Sequence, residues 1–596
     1  MRPSLATTAR SCVFRWLEPQ ALLLALVVIL IFFTRLGDLT LRGEETRRAR
    51  VALEMLETGD WIVPREQGRL FPDRPPLGNW LIALSMLVTG SSGTVAVRLP
   101  TVLVTLATAL VVYGYTRGFL GRNAALAAGL AYATSGQILQ LGMLAETEAT
   151  LTLMVGASLL LWHLGYLRGW PASLTWMLGY GFAALAALAK GPQGPVYLVS
   201  AAVLYLVCRR DWRFLLSGGH VLGLAVFAAI VAAWQVPYAR EVEWKLVLQT
   251  WGHTSAARFD YSQPWPVVKH LLTYPCEIAG CLLPWSVWLA AFANRDFRRS
   301  LGAARQPAIF LWLAIAVAFP TCWLAPQARG RYFMPLYPCF APLVAIVIDR
   351  AWRASSGWLA DFWRRYRGAV AAAMLLSAGG VLLATLWPAL AETPLRQSLP
   401  FAAMYTLLAS LAAWIVWKAP VAAAELGRAD GCVHKRSFWP SDTPVTDNLR
   451  AAPLVAIALF LGLTWNGLWM NDLIRRSEDI AGQVRALKRL LPSDAHLVSL
   501  GRAHHPFVYH FGRTIPWLDW PKADSPPPEF EYFCFHSVRG RRKPLPFDWQ
   551  EVAVVKCDRY RRDQPVDAMV IGKRRNSIAT EATARREVAP GLVPGR

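Results

Sequence analysis

Apolar residues run along this chain in stretches of about 16 to 21, close to the roughly 20 that a helix needs to cross ~30 Å of hydrocarbon. The core of the first stretch is Ala21 to Phe33. Others lie near 99–116, 122–141, 149–168, 174–189, 192–208, 217–236, 274–293, 307–325, 333–349, 369–388, 401–418 and 453–470. The pattern predicts about thirteen spans. Pro75 to Gly90 is shorter and predicts a helix lying at the interface. From about Asn471 the pattern changes. Ser477 to Leu491 carries Ile480, Val484, Leu487 and Leu491 at helical spacing, while 495–500, 506–511 and 552–557 read as short strands. Ser525-Pro526-Pro527-Pro528 breaks the chain, and the last twenty residues read as disordered.

These elements predict an all-α polytopic membrane protein with a small α+β C-terminal domain. The expected division is a transmembrane domain over 1–471, with a first external loop at 37–96, a soluble domain over 472–575 and a disordered tail over 576–596. Composition agrees: of 596 residues 55% are hydrophobic and 17% charged, against about 25% charged in soluble proteins.

The net charge of +23 does not require nucleic acid. Short connections rich in arginine are what the positive-inside rule places on the cytoplasmic side. They are Arg117–Arg122, Cys208–Arg213, Asn294–Arg305, Asp349–Arg367 and Lys418–Lys435. The connections 37–96, 142–148, 237–273, 326–332 and 389–399, and everything after 471, then face outward, and the N-terminus with Arg2, Arg10 and Arg15 faces in. Ala21 to Phe33 reads as a retained first span. The nine cysteines show no CxxC spacing, and Cys534 and Cys557 could pair if the tail is extracytoplasmic. Walker, Rossmann, HExxH and GxSxG patterns are absent, which argues against soluble nucleotide chemistry.

The outward connections collect the unusual polar residues: Glu44, Glu45, Arg47, Arg48, Asp60, Asp73 and Arg74 in the first, Glu146 and Glu148 in the second, His253, Arg258 and Asp260 in the third, and Arg329 and Arg331 in the fourth. Ionisable groups near membrane depth are costly and mark functional sites by default. The plain alternative is solvated loop charge, with Glu45 and Arg47 only capping and pairing at a helix start. Lys190 closes a span and has its own plain reading, a side chain snorkelling to the interface.

One stretch is distinctive: Gly43-Glu44-Glu45-Thr46-Arg47, then Glu54-Met55, Thr58-Gly59-Asp60-Trp61-Ile62-Val63-Pro64, and Phe71-Pro72-Asp73-Arg74-Pro75-Pro76-Leu77-Gly78-Asn79-Trp80. It resembles the first external loop of the GT-C glycosyltransferases that use polyprenyl-phosphate sugars. The similarity is to the lipid A aminoarabinose transferases, and more distantly to the protein O-mannosyltransferases. Ala96-Val97-Arg98-Leu99-Pro100, Ala189-Lys190-Gly191-Pro192 and Arg331-Tyr332-Phe333-Met334-Pro335 also fit, and the resemblance extends to about residue 350.

The resemblance implies a GT-C fold in the inner membrane with a site facing the periplasm or exterior. The family's external-loop carboxylate falls on Glu44, with Glu45 beside it. Its second acid falls on Glu148, with Glu146 a near competitor. The family lysine before the proline pair is Arg74. Asp73 and His253 match an acid and a histidine that can share a divalent metal in such enzymes, although zinc normally takes three or four protein ligands. Two departures stand out: glutamate replaces the family aspartate at 44, and Arg48 stands where the family has tyrosine.

The chemistry suits these residue types. A sugar leaving a lipid phosphate deposits negative charge on that phosphate, which fixed cations stabilise. Arg74, Arg258, Arg329, Arg331 and Lys190 are the candidates, arginine gripping phosphate in a fork. Glu44 is the expected base for a hydroxyl acceptor. The expected partners are a polyprenyl-phosphate sugar donor, membrane lipids, and a lipid, glycan or protein acceptor. A membrane transporter or flippase is the competing reading, but it predicts paired inverted halves with broken helices. A ligase moving a whole glycan from its carrier is a third.

Overall fold

The computed structural model describes residues 18–256, 259, 261–354, 356–390, 392–418, 446–521, 530–538, 541–557 and 567–575. The chain divides into two compact units, residues 1–39 with 72–475, and residues 40–71 with 476–596.

Apolar stretches become helices in the first unit because a backbone without water must satisfy its own polar groups. Among the described residues, nine helices are long and apolar enough to cross a membrane. They include Thr94–Arg117, Thr147–Leu167, Ala172–Lys190 and Trp358–Leu386. This is a polytopic membrane protein. Two further expected spans are shorter apolar helices, Pro19–Phe32 and Gln193–Arg209. Leu77–Thr89, expected at the interface, has 13 residues and so measures about 20 Å.

Two expected spans are broken. The run at 122–141 divides into Arg122–Ala133 and Gly136–Leu141. The Thr134 and Ser135 hydroxyls donate back to Leu130 O and Ala131 O, and the Gly136 N–H leaves the helix to donate to Leu283 O at 3.1 Å. The run at 274–293 is not a straight span: Pro264–Cys281 and Ser286–Ala293 meet at 114°. Pro284 supplies no N–H for a continuing ladder.

Small residues let the helices approach closely. Every residue from Ala124 to Ala133 is buried. A Cβ at Gly129 would stand 2.3 Å from a methyl of Leu24 on Pro19–Phe32, so a larger residue there must displace that side chain. Glu18 ties the start of Pro19–Phe32 to Tyr113 at 2.6 Å and Arg117 at 3.0 Å. Arg98 is fully buried and donates to Leu36 O and Leu39 O, fixing the chain as it leaves that helix.

The second unit holds a five-stranded mixed sheet in the order Trp517–Leu518, Leu497–Leu500, Tyr532–Ser537, Ala568–Arg574, Trp549–Lys556. The first three strands are parallel and the last two pairings antiparallel. Helix Ile480–Leu490 buries Ile480, Val484 and Leu487 against Leu497, Cys534 and Ile571. The stretch 506–511, expected as a strand, is helical over His505–Phe511. Proline opens that helix at a position needing no N–H, and Phe507 and Phe511 meet at i,i+4 spacing. Cys534 is a buried free thiol, so the expected pairing with Cys557 is not formed. The tail over 576–596 lies outside the described residues.

Residues 40–71, expected to belong with the membrane domain, join this unit because their buried polar groups find partners there. Helix Glu44–Thr58 presents Arg50 to Glu54 at 3.2 Å, Glu57 at 2.6 Å and Thr514 at 2.5 Å. Gln67 sits at a φ of +54° between two short strands, Arg65–Glu66 and Arg69–Leu70. Its amide donates to Ile515 O and accepts from Ala503 N. Both Glu54 oxygens accept from this turn, from Gln67 N at 2.8 Å and Gly68 N at 3.2 Å.

Burial pushes His504 down to about 3, helped by neighbouring His536, His505 and Arg47. His505, His510 and His536 are lowered too, burial again leading. The unfolded chain therefore binds protons below about pH 6.5 that the folded unit resists, His504 until about pH 3. Stability of the second unit is complete above that window and falls as pH drops through it. Hydrogen exchange of Leu497–Leu500 and Tyr532–Ser537 between pH 7 and 4, corrected for intrinsic rates, is expected to show progressively easier opening. Constant protection would contradict it.

Candidate functional site

Helix Thr147–Leu167 begins, and helix Ala172–Lys190 ends, with a charge suited to its terminus. Glu148 lies in the first turn of one, and Lys190 is the last residue of the other. A carboxylate at an N-terminus and an ammonium at a C-terminus are each favoured by the helix dipole. Gly191, at a φ of +103°, turns the chain away after Lys190. The two helices pack together. Lys190 Nζ then reaches Glu148 Oε1 at 2.7 Å, with both side chains 4% exposed.

Other cations converge on this pair. Arg331, entering the helical turn Gly330–Leu336, reaches Glu146 Oε2 at 2.6 Å and Glu148 Oε1 at 3.8 Å. Arg74 donates to Thr147 Oγ1 at 2.7 Å and lies 3.8 Å from Asp73. Tyr332 offers its ring to Lys190 at 4.8 Å and to Arg331 at 5.8 Å. Arg74, Lys190 and Arg331 thus stand with Asp73, Glu146 and Glu148 in one balanced cluster. Among the described residues, the Nε–H groups of Arg74 and Arg331 are buried without a hydrogen bond, each 3.8 Å from a carboxylate oxygen, and both polar atoms of the Asn79 amide are likewise without one. Buried donors left over in a polar cluster are what an anionic ligand would satisfy.

Glu44 and Glu45 lie in the second unit. Glu44 opens helix Glu44–Thr58, is 40% exposed, and accepts both its bonds from Arg47 at 2.8 Å. Glu45 is fully buried and accepts from Arg42 N at 3.4 Å. Arg47 lies 3.5 Å from Glu66, which also takes His505 at 2.9 Å and pairs with Arg502. Burial opposes a charged Glu66, but the His505 hydrogen bond and the two arginines hold its carboxyl below the usual range. Arg329 has an exposed side chain, and its carbonyl accepts from Tyr274 at 3.5 Å. Arg258 lies outside the described residues. His253 is in helix Trp244–Ala256, with its side chain outside them.

Asp73 has the Arg74 guanidinium beside it, so a divalent ion there would face a fixed positive charge. Of the expected Asp73 and His253 pair, only Asp73 has a described side chain. Among the described residues, the donors that converge within 4.8 Å are His504, His536 and Asp567, in the second unit.

Sequence reasoning did not single out Thr147, Asn79, Tyr332 or Glu277 as site residues. Glu277 accepts from Gly330 N at 2.7 Å and so anchors the turn that carries Arg331. The signal for it was present: an acid inside an otherwise apolar stretch.

Three comparisons bear on this geometry. The family model for dolichyl-phosphate-mannose-protein mannosyltransferases matches residues 73–236, which hold Arg74, Glu146, Glu148 and Lys190. An undecaprenyl phosphate-α-4-amino-4-deoxy-L-arabinose arabinosyl transferase of Pseudomonas aeruginosa is 31% identical over 323 residues, 51% of this chain and 54% of that protein. The like-named protein of Edwardsiella ictaluri is 30% identical over 342 residues, 54% of this chain and 58% of its own. The chain thus spans about half the length of the curated relatives it matches. ArnT from Cupriavidus metallidurans, solved bound to undecaprenyl phosphate, superposes with a TM-score of 0.64 at 18% identity, covering 92% of this chain and 97% of that one. The fold is shared, and the resemblance to GT-C enzymes that the sequence carries is borne out.

Removing one partner of a buried pair strands the other's charge, at a typical cost of about 3–5 kcal/mol. Lys190→Met is therefore expected to lower unfolding stability in detergent by about 3 kcal/mol, Arg331 partly compensating. The double variant Glu148→Gln/Lys190→Met should cost less than the two single changes summed, with a coupling of roughly 0.5–3 kcal/mol. Strict additivity in a double-mutant cycle would dissolve the pair.

Proposed function

We propose that this chain is an integral-membrane glycosyltransferase. It moves a sugar from a polyprenyl-phosphate carrier to an envelope lipid, glycan or protein acceptor on the outer face of the membrane. The observation that carries the reading is the cluster of Arg74, Lys190 and Arg331 around Glu148, all but Arg331 inside the stretch that matches the mannosyltransferase family. The names of the relatives support a polyprenyl-phosphate donor, aminoarabinose being the sugar those names specify.

In the proposed reaction the acceptor oxygen attacks the anomeric carbon as the bond to the phosphate oxygen breaks. One displacement inverts the anomeric centre. The electron pair of the breaking bond goes to polyprenyl phosphate, where arginine and lysine stabilise it. Glu148 keeps the three cations together before the donor arrives. For a hydroxyl acceptor the proton goes to Glu44, the carboxylate that the resemblance aligns with the family acid. For a phosphate acceptor no base is needed. No step is routed through a metal.

In an assay with purified protein and a polyprenyl-phosphate sugar, Arg74→Ala is expected to lower turnover by roughly 10²–10³, as for one lost charge-stabilising donor. Arg74→Lys should retain more activity, keeping the charge but losing the fork. Wild-type activity in Arg74→Ala would end this role.

Glu44→Gln keeps size and hydrogen bonding but removes basicity, and a lost positioned base costs about 10²–10⁴ in rate. Its melting temperature should barely move, because the side chain is half exposed. Lost stability with normal turnover per folded molecule would instead make Glu44 only the ion-pair partner of Arg47.

A further inference from the structure

The connection at 294–305 carries Arg295, Arg298, Arg299 and Arg305 against one carboxylate, Asp296. These arginines line one end of a cavity of about 870 Å³. That is the upper part of the roughly 300–1,000 Å³ typical of small-molecule sites. Its wall is a stripe of helix Arg305–Trp323 that includes Ile309 and Trp312 and ends at Ala316. Positions 305, 309, 312, 313 and 316 recur at helical spacing, so they form one face about 16 Å long. Ile309 is 44% exposed, and the indole N–H of Trp312 is buried without a hydrogen-bond partner among the described residues.

The arginines are unequal. Arg298 is fixed, donating to Phe292 O at 2.6 Å and Ala293 O at 2.9 Å. Arg299 lies 3.6 Å from Asp296 with both side chains almost fully exposed, a pair of little energetic weight. Arg295 and Arg305 have no side-chain ion pair or hydrogen bond among the described residues. Arg350 donates to Leu301 O at 2.8 Å and holds the loop between them. Two guanidinium groups therefore stand available at the head of an apolar groove. A ligand matching that arrangement is anionic at one end and hydrocarbon along its length. The arginine bias puts this end of the helix at the cytoplasmic surface, where anionic lipids concentrate and basic pockets between spans hold their headgroups. Arg331 follows the other end of the same helix, about 28 Å away along 19 residues.

We infer that this cavity is a binding site for an anionic glycerophospholipid, its phosphate held by Arg295 and Arg305 and an acyl chain laid along Ile309, Trp312 and Ala316. The site is separate from the donor cluster and does not depend on the proposed reaction.

Native mass spectrometry of the detergent-purified chain tests it, with phosphatidylglycerol as ligand and phosphatidylcholine as control. Phosphatidylglycerol should be retained, and should raise the melting temperature, at roughly tenfold lower concentration than phosphatidylcholine. Arg295→Gln/Arg305→Gln should erase that preference, since basic side chains near a membrane surface carry the attraction to anionic headgroups. The delipidated melting temperature of this variant should match the parent. If the variant does not fold, the wild-type preference is measured across salt concentrations and should shrink as salt rises. Equal retention of both lipids, or an unchanged preference in a folded variant, would overturn the site. Displacement of phosphatidylglycerol by inorganic phosphate would show an anion site without lipid specificity, and preferential displacement by undecaprenyl phosphate a carrier site. Either overturns the assignment.

Discussion

A carboxylate shut away from water at the end of an apolar helix stays charged only if cations come to it, and Glu148 sets that requirement here. Its neighbours answer from three separate parts of the chain: Lys190 from the end of the next helix, Arg331 from a turn near 330, Arg74 from the approach to Leu77–Thr89. The close packing of Thr147–Leu167 on Ala172–Lys190, the positive φ of Gly191 and the anchoring of Gly330 by Glu277 all bring those charges within reach. Helix ends distribute the signs favourably before any tertiary contact forms, which lets so polar a cluster sit beside apolar spans.

Much of the helical unit was legible in the sequence because crossing a membrane imposes one dominant rule, a long apolar run. That rule failed where one residue overrides the run. Pro284 turns the stretch at 274–293 by removing a donor, and the hydroxyls of Thr134 and Ser135 interrupt the one at 122–141. In the second unit the signal is weaker. Seven residues at 505–511 satisfy both a strand and a helix pattern by hydrophobicity, and the proline at the helix start decides between them.

The charged candidates were legible as a set, through the cost of placing ions near hydrocarbon, but their partners were not. Glu148 with Lys190 is a contact across 42 residues, and Arg331 with Glu146 across 185. No local pattern encodes such pairings. Thr147 and Tyr332 escaped notice for the same reason: a hydroxyl or an aromatic ring beside an ion pair looks ordinary until the pair exists.

The second unit is assembled from both ends of the chain, with Gln67 bonded to Ile515 across 448 residues and Glu66 to Arg502 across 436. Ribosomes elongate at roughly 5–20 residues per second, so the early segment waits on the order of half a minute or more before its partners exist. During that interval Arg50 and Gln67 lack their partners Thr514, Ile515 and Ala503. Folding of this unit thus waits on residues beyond 500. A chain that stops before residue 500 leaves the segment 40–71 with nothing to fold upon.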